Sequence, residues 1–228
     1  MSELTLADVD RDEALCEAIA QLCGHTRAQF LRGTALGGGA MLTALLAPAE
    51  ADAKVTDLGI LNFGLRFERL QATFYTEAEE IGTIHRMPAE KQRWAEVLGA
   101  HERAHVRIFK KVLGKKAEPR PFFDYGDATG SDAKFTRTAV AMEDLTVALL
   151  AGLTPRVQNR GLTAALFGLL TVEARHAAWA RHIVGAAPAS DPFDRPRTLR
   201  DVRGVVARTH FIARLPRTSR RRRPRFTG

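Results

Sequence analysis

Two short motifs in the chain combine the residue types and the spacing of a metal site. Glutamate and histidine stand three residues apart in Glu102-x-x-His105 and again in Glu173-x-x-His176. On an α-helix, residues three apart lie on one face about one turn from each other. One metal ion can then take the imidazole while the carboxylate chelates or bridges. Each motif is therefore a candidate metal-binding pair.

Two further glutamates, Glu68 and Glu143, stand in the middle of stripes that are otherwise mostly apolar and follow three-four spacing. A lone ionised carboxylate in a helical core is costly, or it neutralises itself by taking up a proton. Four such carboxylates balance the charge of two divalent ions, so a shared metal centre is the simplest explanation. The expected metal ligands are Glu68, Glu102, His105, Glu143, Glu173 and His176.

The donor set indicates the metal, and its neighbours leave alternatives open. Mixed oxygen and nitrogen donors without thiolate favour two iron or manganese ions over copper or a structural zinc. His101 could replace His105 as a ligand if the second helix were rotated. Tyr75, two turns after Glu68, is a candidate catalytic residue in redox chemistry, or a core tyrosine with a hydrogen-bonded hydroxyl. Asp144 could orient a ligand histidine, or lie exposed.

Helices must position these residues. Apolar residues make up 45% of the 228 and recur at threes and fours, which predicts an all-α fold and excludes an all-β one. We predict four helices at about 55–85, 89–113, 131–153 and 157–184. Residues 115–131 contain two prolines and two glycines without a helical period, so they are expected to form a long crossover. No apolar run reaches the roughly 18 residues typical of a transmembrane helix.

The chain resembles the ferritin-like superfamily, and within it the bacterial ferritin-like domain family related to plant desiccation-related proteins. Five segments spread over roughly 55–195 carry the resemblance. They are ILNFGLRFERLQATFY at 60–75, HERAH at 101–105, FFDYG at 122–126, ED at 143–144 and EARHAA at 173–178. The resemblance implies an antiparallel four-helix bundle with a long crossover between its second and third helices. It also implies one Glu from each of two helices and a Glu-x-x-His pair from each of the other two.

Three kinds of function fit such a di-metal bundle. The first is oxidative chemistry, in which reduced iron or manganese reacts with O₂ or H₂O₂. The second is metal binding or storage without efficient turnover. The third is a stress-protective structural role in which the metal fastens the bundle, as the desiccation-related name suggests. The sequence leaves open whether the protein is an enzyme.

The net charge of +8 is a property of the C-terminal region. Residues 186–228 hold 12 of the 34 basic residues and three of the 26 acidic ones, so this tail carries +9. Residues 1–185, with 22 basic and 23 acidic groups, carry −1. The positive net charge therefore gives no information about the function of the core, and no specific nucleic-acid partner is predicted. The Arg-rich tail is interpreted as a solvated, disordered end by default, with weak contact to anionic surfaces as the alternative.

The N-terminal region has the layout of an export signal. Thr26-Arg27-Ala28-Gln29-Phe30-Leu31-Arg32 precedes an apolar stretch at 33–47, and Ala51-Asp52-Ala53 follows as a cleavage pattern. The segment resembles a twin-arginine (Tat) signal with alanine in place of the second arginine. We therefore expect a leader at 1–53, a bundle at 54–185 and a tail at 186–228, with the protein periplasmic or extracellular. The alternatives are a cytoplasmic protein with a Gly-rich linker after an N-terminal helix, and an uncleaved membrane anchor. Cleavage would remove Cys16 and Cys23, the two cysteines of the chain.

Overall fold

The computed structural model describes residues 56–213. The predicted leader, its cysteines and the arginine run at 220–223 lie outside these residues. The described elements are α1 (Asp57–Glu80), α2 (Ala89–Leu113), β1 (Phe122–Phe123), α3 (Asp132–Leu153), α4 (Arg160–Ile183), α5 (Leu199–Thr209) and β2 (Ile212–Ala213). Short 3₁₀ turns at Ile84–Arg86, Gly114–Lys116 and Thr154–Arg156 lie in the connections.

Polar caps and glycines set the helix ends. Thr56, Ser131 and Asn159 each accept a hydrogen bond from a main-chain N–H of the helix that follows, which satisfies a donor that the first turn leaves free. Helix α1 ends at Glu80, earlier than the predicted end near residue 85. Gly82 adopts φ +77, a left-handed conformation that suits glycine and stops the helix before Pro88.

Helices α1 to α4 form an antiparallel four-helix bundle, as the sequence predicted. Helix α1 packs mainly on α2, and α3 packs mainly on α4. Cross-helix contacts fix the directions, because residue numbers rise along one helix as they fall along its neighbour. Tyr75 contacts Glu143 and Gln71 contacts Thr146 across the α1–α3 pair. The same antiparallel order relates α2 to α4.

The predicted crossover between α2 and α3 runs along α1. Its main chain bonds the Asn62 side chain near the start of α1, where Glu118 N–H donates at 2.8 Å. Further along, the Tyr125 hydroxyl donates to the Leu70 carbonyl at 2.6 Å, and the Thr129 hydroxyl donates to Glu77 at 2.6 Å. The crossover therefore returns the chain along the bundle to the start of α3.

An aromatic layer fills one part of the bundle core. Phe74, Tyr75, Trp94 and Phe135 are fully buried. The Phe74 and Phe135 rings stack with centroids 4.9 Å apart, and Tyr75 meets Phe135 edge to face at 5.5 Å. This packing holds the tyrosine hydroxyl in a fixed place within the core.

Helix α5 and strand β2 are elements that the predicted tail over 186–228 did not include. Thr198 and Asp201 form a capping box at the start of α5. Leu199, Val202 and Val206 are buried. After the helix, β2 pairs with β1 in an antiparallel two-stranded sheet, with Phe122 opposite Ala213 and Phe123 opposite Ile212. Part of the basic tail is thus folded and covers the bundle.

The stretch Asp132–Arg156, which includes α3, is apolar and long enough to cross a membrane by length and composition. Half of its most apolar window is buried inside the bundle. Glu143 stands in its middle and is fully buried. A core helix of a bundle has this same composition.

Candidate metal centre

All six predicted ligands meet in the core of the bundle. Each helix from α1 to α4 contributes one glutamate, and α2 and α4 each add a histidine one turn later. The four glutamates are at most 1% exposed, His105 is 8% exposed and His176 is 3% exposed. Their potential ligand atoms form two overlapping groups, each within 4.8 Å. The structure thus brings together every residue that the helical spacing had selected.

The first group, here called the His105 position, consists of Glu68, Glu102, His105 and Glu173. His105 Nδ1 lies 3.2 Å from Glu68 Oε2, 3.7 Å from Glu102 Oε2 and 2.9 Å from Glu173 Oε1. Carboxylates from three helices therefore surround one imidazole nitrogen.

The second group, the His176 position, consists of Glu102, Glu143, Glu173 and His176. His176 Nδ1 lies 3.2 Å from Glu102 Oε1, 3.6 Å from Glu143 Oε2 and 3.3 Å from Glu173 Oε2. Glu102 and Glu173 belong to both positions, and each directs one oxygen to either histidine. The arrangement has the form of two adjacent sites that share two carboxylates.

Eight buried polar atoms of this cluster lie close to one another but form no hydrogen bond of acceptable geometry. The orphaned atoms are Nδ1 of both histidines, both carboxylate oxygens of Glu102 and of Glu173, Glu68 Oε2 and Glu143 Oε2. Buried polar atoms are almost always hydrogen-bonded, so eight orphans in one place need an explanation. Cations among the carboxylates and imidazoles would satisfy them together. The residues present therefore fit a metal centre.

Protons on the histidines and on two of the glutamates offset the negative charge of the cluster. Burial would lower the pKa of His105 and His176, but the facing carboxylates outweigh it and raise each pKa to about 12. Burial raises the pKa of Glu143 to about 8 and that of Glu68 well above its ordinary value, with Glu102 adding to both. Burial would raise the pKa of Glu102 too, yet the two histidines hold it at about 2. The metal-free cluster is thus neutralised by protons that metal ions would displace.

A comparison with protein families matches residues 56–186 to the ferritin-like domain. This match covers more than half of the chain and all six clustered residues. The chain belongs to the ferritin-like domain family. Searched against curated proteins, it has no significant match.

Outside the six residues, the cluster has different neighbours at its two positions. On the His176 side, the Tyr75 hydroxyl donates to Glu143 Oε1 at 2.7 Å. Burial, followed by the Glu143 carboxylate, raises the pKa of Tyr75 well above its usual value, so the hydroxyl keeps its proton. Its predicted catalytic role remains a prediction. The sequence predicted a core tyrosine with a hydrogen-bonded hydroxyl, but it did not identify Glu143 as the acceptor.

His101 lies beside the cluster and not within either group of potential ligand atoms. It does not replace His105, whose Nδ1 faces the carboxylates. Instead, His101 Nδ1 lies 2.9 Å from Nε2 of His176, on the ring edge that points away from the cluster. The Asp144 carboxylate pairs with Arg181 at 2.9 Å, and not with a histidine of the cluster. One residue after Glu143, it is turned about 100° around the helix from the core face.

One hydrogen-bonded pair of side chains next to the cluster was not predicted from the sequence. The Thr146 hydroxyl donates to Gln71 Oε1, which links α3 to α1. Gln71 follows Glu68 by three residues and Thr146 follows Glu143 by three, the same spacing that separates glutamate from histidine on α2 and α4. The rule that located the histidines would therefore also have located this pair.

On the His105 side, an apolar pocket of about 250 Å³ opens between α2 and α4. His105 is the one ionisable residue in its lining. The mouth includes Ile108 and Val112, which are 60% and 52% exposed. The remaining lining residues are Leu61, Phe109, Leu162, Ala165, Leu166, Gly168, Leu169 and Val172. The cluster thus borders an apolar, solvent-accessible space at one of its two positions.

Proposed function

We propose that the protein binds two divalent iron or manganese ions per chain, one at the His105 position and one at the His176 position. The observation that supports this most strongly is the set of eight buried ligand-type atoms without hydrogen-bond partners. Four carboxylates offset the charge of two divalent ions, and oxygen with imidazole donors suits iron or manganese. Glu102 and Glu173 would be shared by both ions.

We further propose that the bound metals support oxidative chemistry with O₂ or H₂O₂ as the small-molecule substrate. Iron or manganese held here would supply the electrons for reduction of either oxidant. The chain provides a water-poor core, in which the buried aromatic layer and the apolar helix faces surround the ligands. The apolar pocket that borders His105 offers a small uncharged molecule a route toward the cluster.

Anaerobic titration of the full-length protein with Fe²⁺ or Mn²⁺ tests the binding proposal. About two equivalents per chain are expected, and metal analysis of natively purified protein should identify the ion used in the cell. A folded protein that binds neither ion would contradict the site assignment. The oxidative proposal needs a second measurement, the consumption of O₂ or H₂O₂ by the reduced, metal-loaded protein.

Tyr75 is proposed as a catalytic residue in this chemistry, and Tyr75→Phe separates the two interpretations of its hydroxyl. Either interpretation predicts a loss of about 1–3 kcal/mol in unfolding free energy, because Glu143 Oε1 loses its donor in a buried setting. A catalytic role additionally predicts slower oxidant consumption at unchanged metal content. An unchanged rate would leave Tyr75 as a structural residue of the core.

A second candidate function is a stress-protective or storage protein in which the metal serves mainly to hold the bundle. The observation in its favour is that the cluster joins all four helices, so metal binding would stabilise the fold as a whole. The resemblance to desiccation-related proteins suggests the same role. This candidate predicts a large rise in melting temperature on metal loading together with negligible O₂ or H₂O₂ consumption.

We also propose that the protein is exported, on the basis of the leader sequence alone. Arg27, Phe30-Leu31, the apolar stretch at 33–47 and Ala51-Asp52-Ala53 follow signal-peptide order. N-terminal sequencing of the protein from its natural host should begin at or near Lys54, in an extracytoplasmic fraction. A cytoplasmic protein that retains Met1 to Ala53 would contradict export and leave the metal proposal intact.

The arginine-rich end is proposed to contact anionic surfaces weakly. Residues 220–223 are four consecutive arginines, and such a run attracts anionic lipid in a salt-dependent manner. Co-sedimentation with vesicles that contain anionic lipid should fall when these four residues are replaced by serine. Equal binding by the variant would contradict the proposal.

A further inference from the structure

The contact between His101 and His176 lies on the edge of the cluster. His101 precedes Glu102 on α2, and its side chain points to the outside of the bundle. Its Nδ1 lies 2.9 Å from His176 Nε2, within hydrogen-bond distance. The two rings are nearly parallel, with an interplanar angle of 23° and centroids 5.1 Å apart. One imidazole therefore donates an N–H to the other.

The direction of this hydrogen bond follows from the ligand atom of His176. Nδ1 of His176 faces Glu102, Glu143 and Glu173 at 3.2 to 3.6 Å, so Nδ1 is the nitrogen available to a metal ion. A neutral imidazole that ligates through Nδ1 carries its proton on Nε2. Nε2–H of His176 must then donate to Nδ1 of His101. Such outer partners fix both the tautomer and the ring orientation of a metal-binding histidine.

Among residues 56–213, His105 has no outer partner equivalent to His101. Its Nδ1 faces the carboxylates in the same way, but its Nε2 forms no hydrogen bond with residues 56–213. The ring instead borders the apolar pocket beside Leu166 and Phe109. The two candidate ligand histidines are thus alike toward the cluster and different away from it.

We propose that His101 is a positioning residue that holds His176 in the tautomer and orientation that present Nδ1, and that it acts on the His176 position alone. This inference rests on the proposed two-metal function. It implies that the two positions of one chain differ in affinity, because only one of them has a preorganised imidazole.

The test isolates each position in the full-length protein and then changes His101. Glu68→Ala removes a ligand that belongs to the His105 position alone, and Glu143→Ala removes one that belongs to the His176 position alone. His101→Leu removes the acceptor and retains an apolar side chain. His101→Asn supplies a carbonyl oxygen that can accept from His176 Nε2. His182→Leu, at a histidine whose side chain is 64% exposed on α4, is the control.

The readout is the dissociation constant for Mn²⁺ at fixed pH, with the Co²⁺ absorption spectrum as the signature of imidazole ligation. In the Glu68→Ala background, His101→Leu should weaken binding about 10- to 100-fold. In the Glu143→Ala background, the same change should leave binding within about twofold. His101→Asn should restore most of the lost affinity, and His182→Leu should have no effect.

Several results would overturn the inference. Equal weakening in both backgrounds, or a lowered melting temperature of the metal-free His101→Leu protein, would make His101 a packing residue. An Asn variant as weak as the Leu variant would mean that the accepting atom is irrelevant. Unchanged binding in the Glu68→Ala background would remove the positioning role while the two-metal proposal stands. A wild-type protein that binds no metal would overturn the proposed function, and this inference with it.

Discussion

The His105 and His176 positions share Glu102 and Glu173, and each adds one further glutamate and one histidine. Their surroundings differ. At the His176 position, Tyr75 bonds Glu143 and His101 bonds the imidazole. At the His105 position, the imidazole borders an apolar pocket. The two positions offer the same kinds of candidate ligand, and the residues that contact these candidates make the positions inequivalent.

The different surroundings favour metal affinity on the His176 side of the cluster and access for small molecules on the His105 side. Hydrogen bonds to Glu143 and His176 fix side chains in place, which favours affinity for an ion. An apolar space beside His105 favours the approach of a small uncharged molecule. We therefore interpret the His176 side as the more rigid one and the His105 side as the more accessible one.

Loss of the two carboxylates that both positions share should have the largest effect on metal binding. In Glu102→Gln with Glu173→Gln, the volume of the side chains is kept but two of the four buried carboxyl groups are replaced by neutral amides. Binding of Mn²⁺ at both positions should fall below detection by calorimetry, because neither position retains enough charge to offset a divalent ion. Glu90→Gln, at an exposed residue of α2, is the matched control and should bind as the wild type does.

A smaller change should separate the positions. Glu68→Ala should leave about one Mn²⁺ per chain at the His176 position, and Glu143→Ala about one at the His105 position. The ion that remains should be bound more tightly in Glu68→Ala, since the retained His176 has its outer partner. Equilibrium titration measures both stoichiometries. Loss of both ions in either variant would mean that the positions do not fill independently.

The protons held by the metal-free cluster should make metal binding depend on pH. The pKa of His105 and of His176 is raised to about 12 and that of Glu143 to about 8, so all three are protonated at pH 7. Metal ligands must be deprotonated, so loading should release about three protons or more per chain. Since protons compete with the metal, the apparent affinity should rise with pH. Above pH 8 the dependence should become shallower, because Glu143 has already lost its proton.

Calorimetry of Mn²⁺ binding in buffers of different ionisation enthalpy measures this proton release. At pH 7, Glu143→Ala should release fewer protons than wild type. Loading without proton release would contradict the protonated state assigned to the metal-free cluster.

The smallest predicted effects concern two glycines on opposite sides of the centre. A Cβ at Gly99 would lie 2.9 Å from the Cβ of Tyr75, so Gly99→Ala should cost about 1–3 kcal/mol through overpacking. A Cβ at Gly168, in the wall of the apolar pocket, would meet nothing within 4 Å. Gly168→Ala should therefore stabilise the protein by about 0.5–1 kcal/mol through helix propensity. Urea unfolding measures both, and equal effects would contradict the difference in packing.

Helical spacing was enough to locate the cluster. Each of the four stripes had a carboxylate in its middle, and a periodicity of three and four determines which residues share a face. That is why Glu68 and Glu143, which belong to no motif, could be selected together with the Glu-x-x-His pairs. Their service as metal ligands stays a prediction until metal binding is measured.

The surroundings of the cluster could not be predicted equally well. His101 and His105 are four residues apart on one helix, so the spacing alone did not decide which of them faces the core. Their rotational setting depends on how α2 packs against its neighbours, which a single sequence does not state. The contact of His101 with His176 joins residues 75 positions apart.

Helix α5 was missed because its charge obscured its apolar face. Only Leu199, Val202 and Val206 are buried along it, within a region of 12 arginines. A signal was nevertheless present: Thr198 and Asp201 stand three apart at the helix start, the spacing of a capping box. Composition averaged over the tail concealed a short amphipathic segment.

The position of α5 in the chain has a consequence for synthesis. A nascent chain that has emerged as far as α4 already contains all six clustered residues, but not the helix that lies beside Phe63, where the Arg203 guanidinium sits 5.3 Å from the ring centre. Until α5 emerges from the ribosome, Phe63, Phe67 and Leu70 lack part of their cover, and β1 lacks its partner strand. The interval between the emergence of α4 and the emergence of α5 and β2 therefore sets how long this apolar surface is open to chaperones or to misassembly.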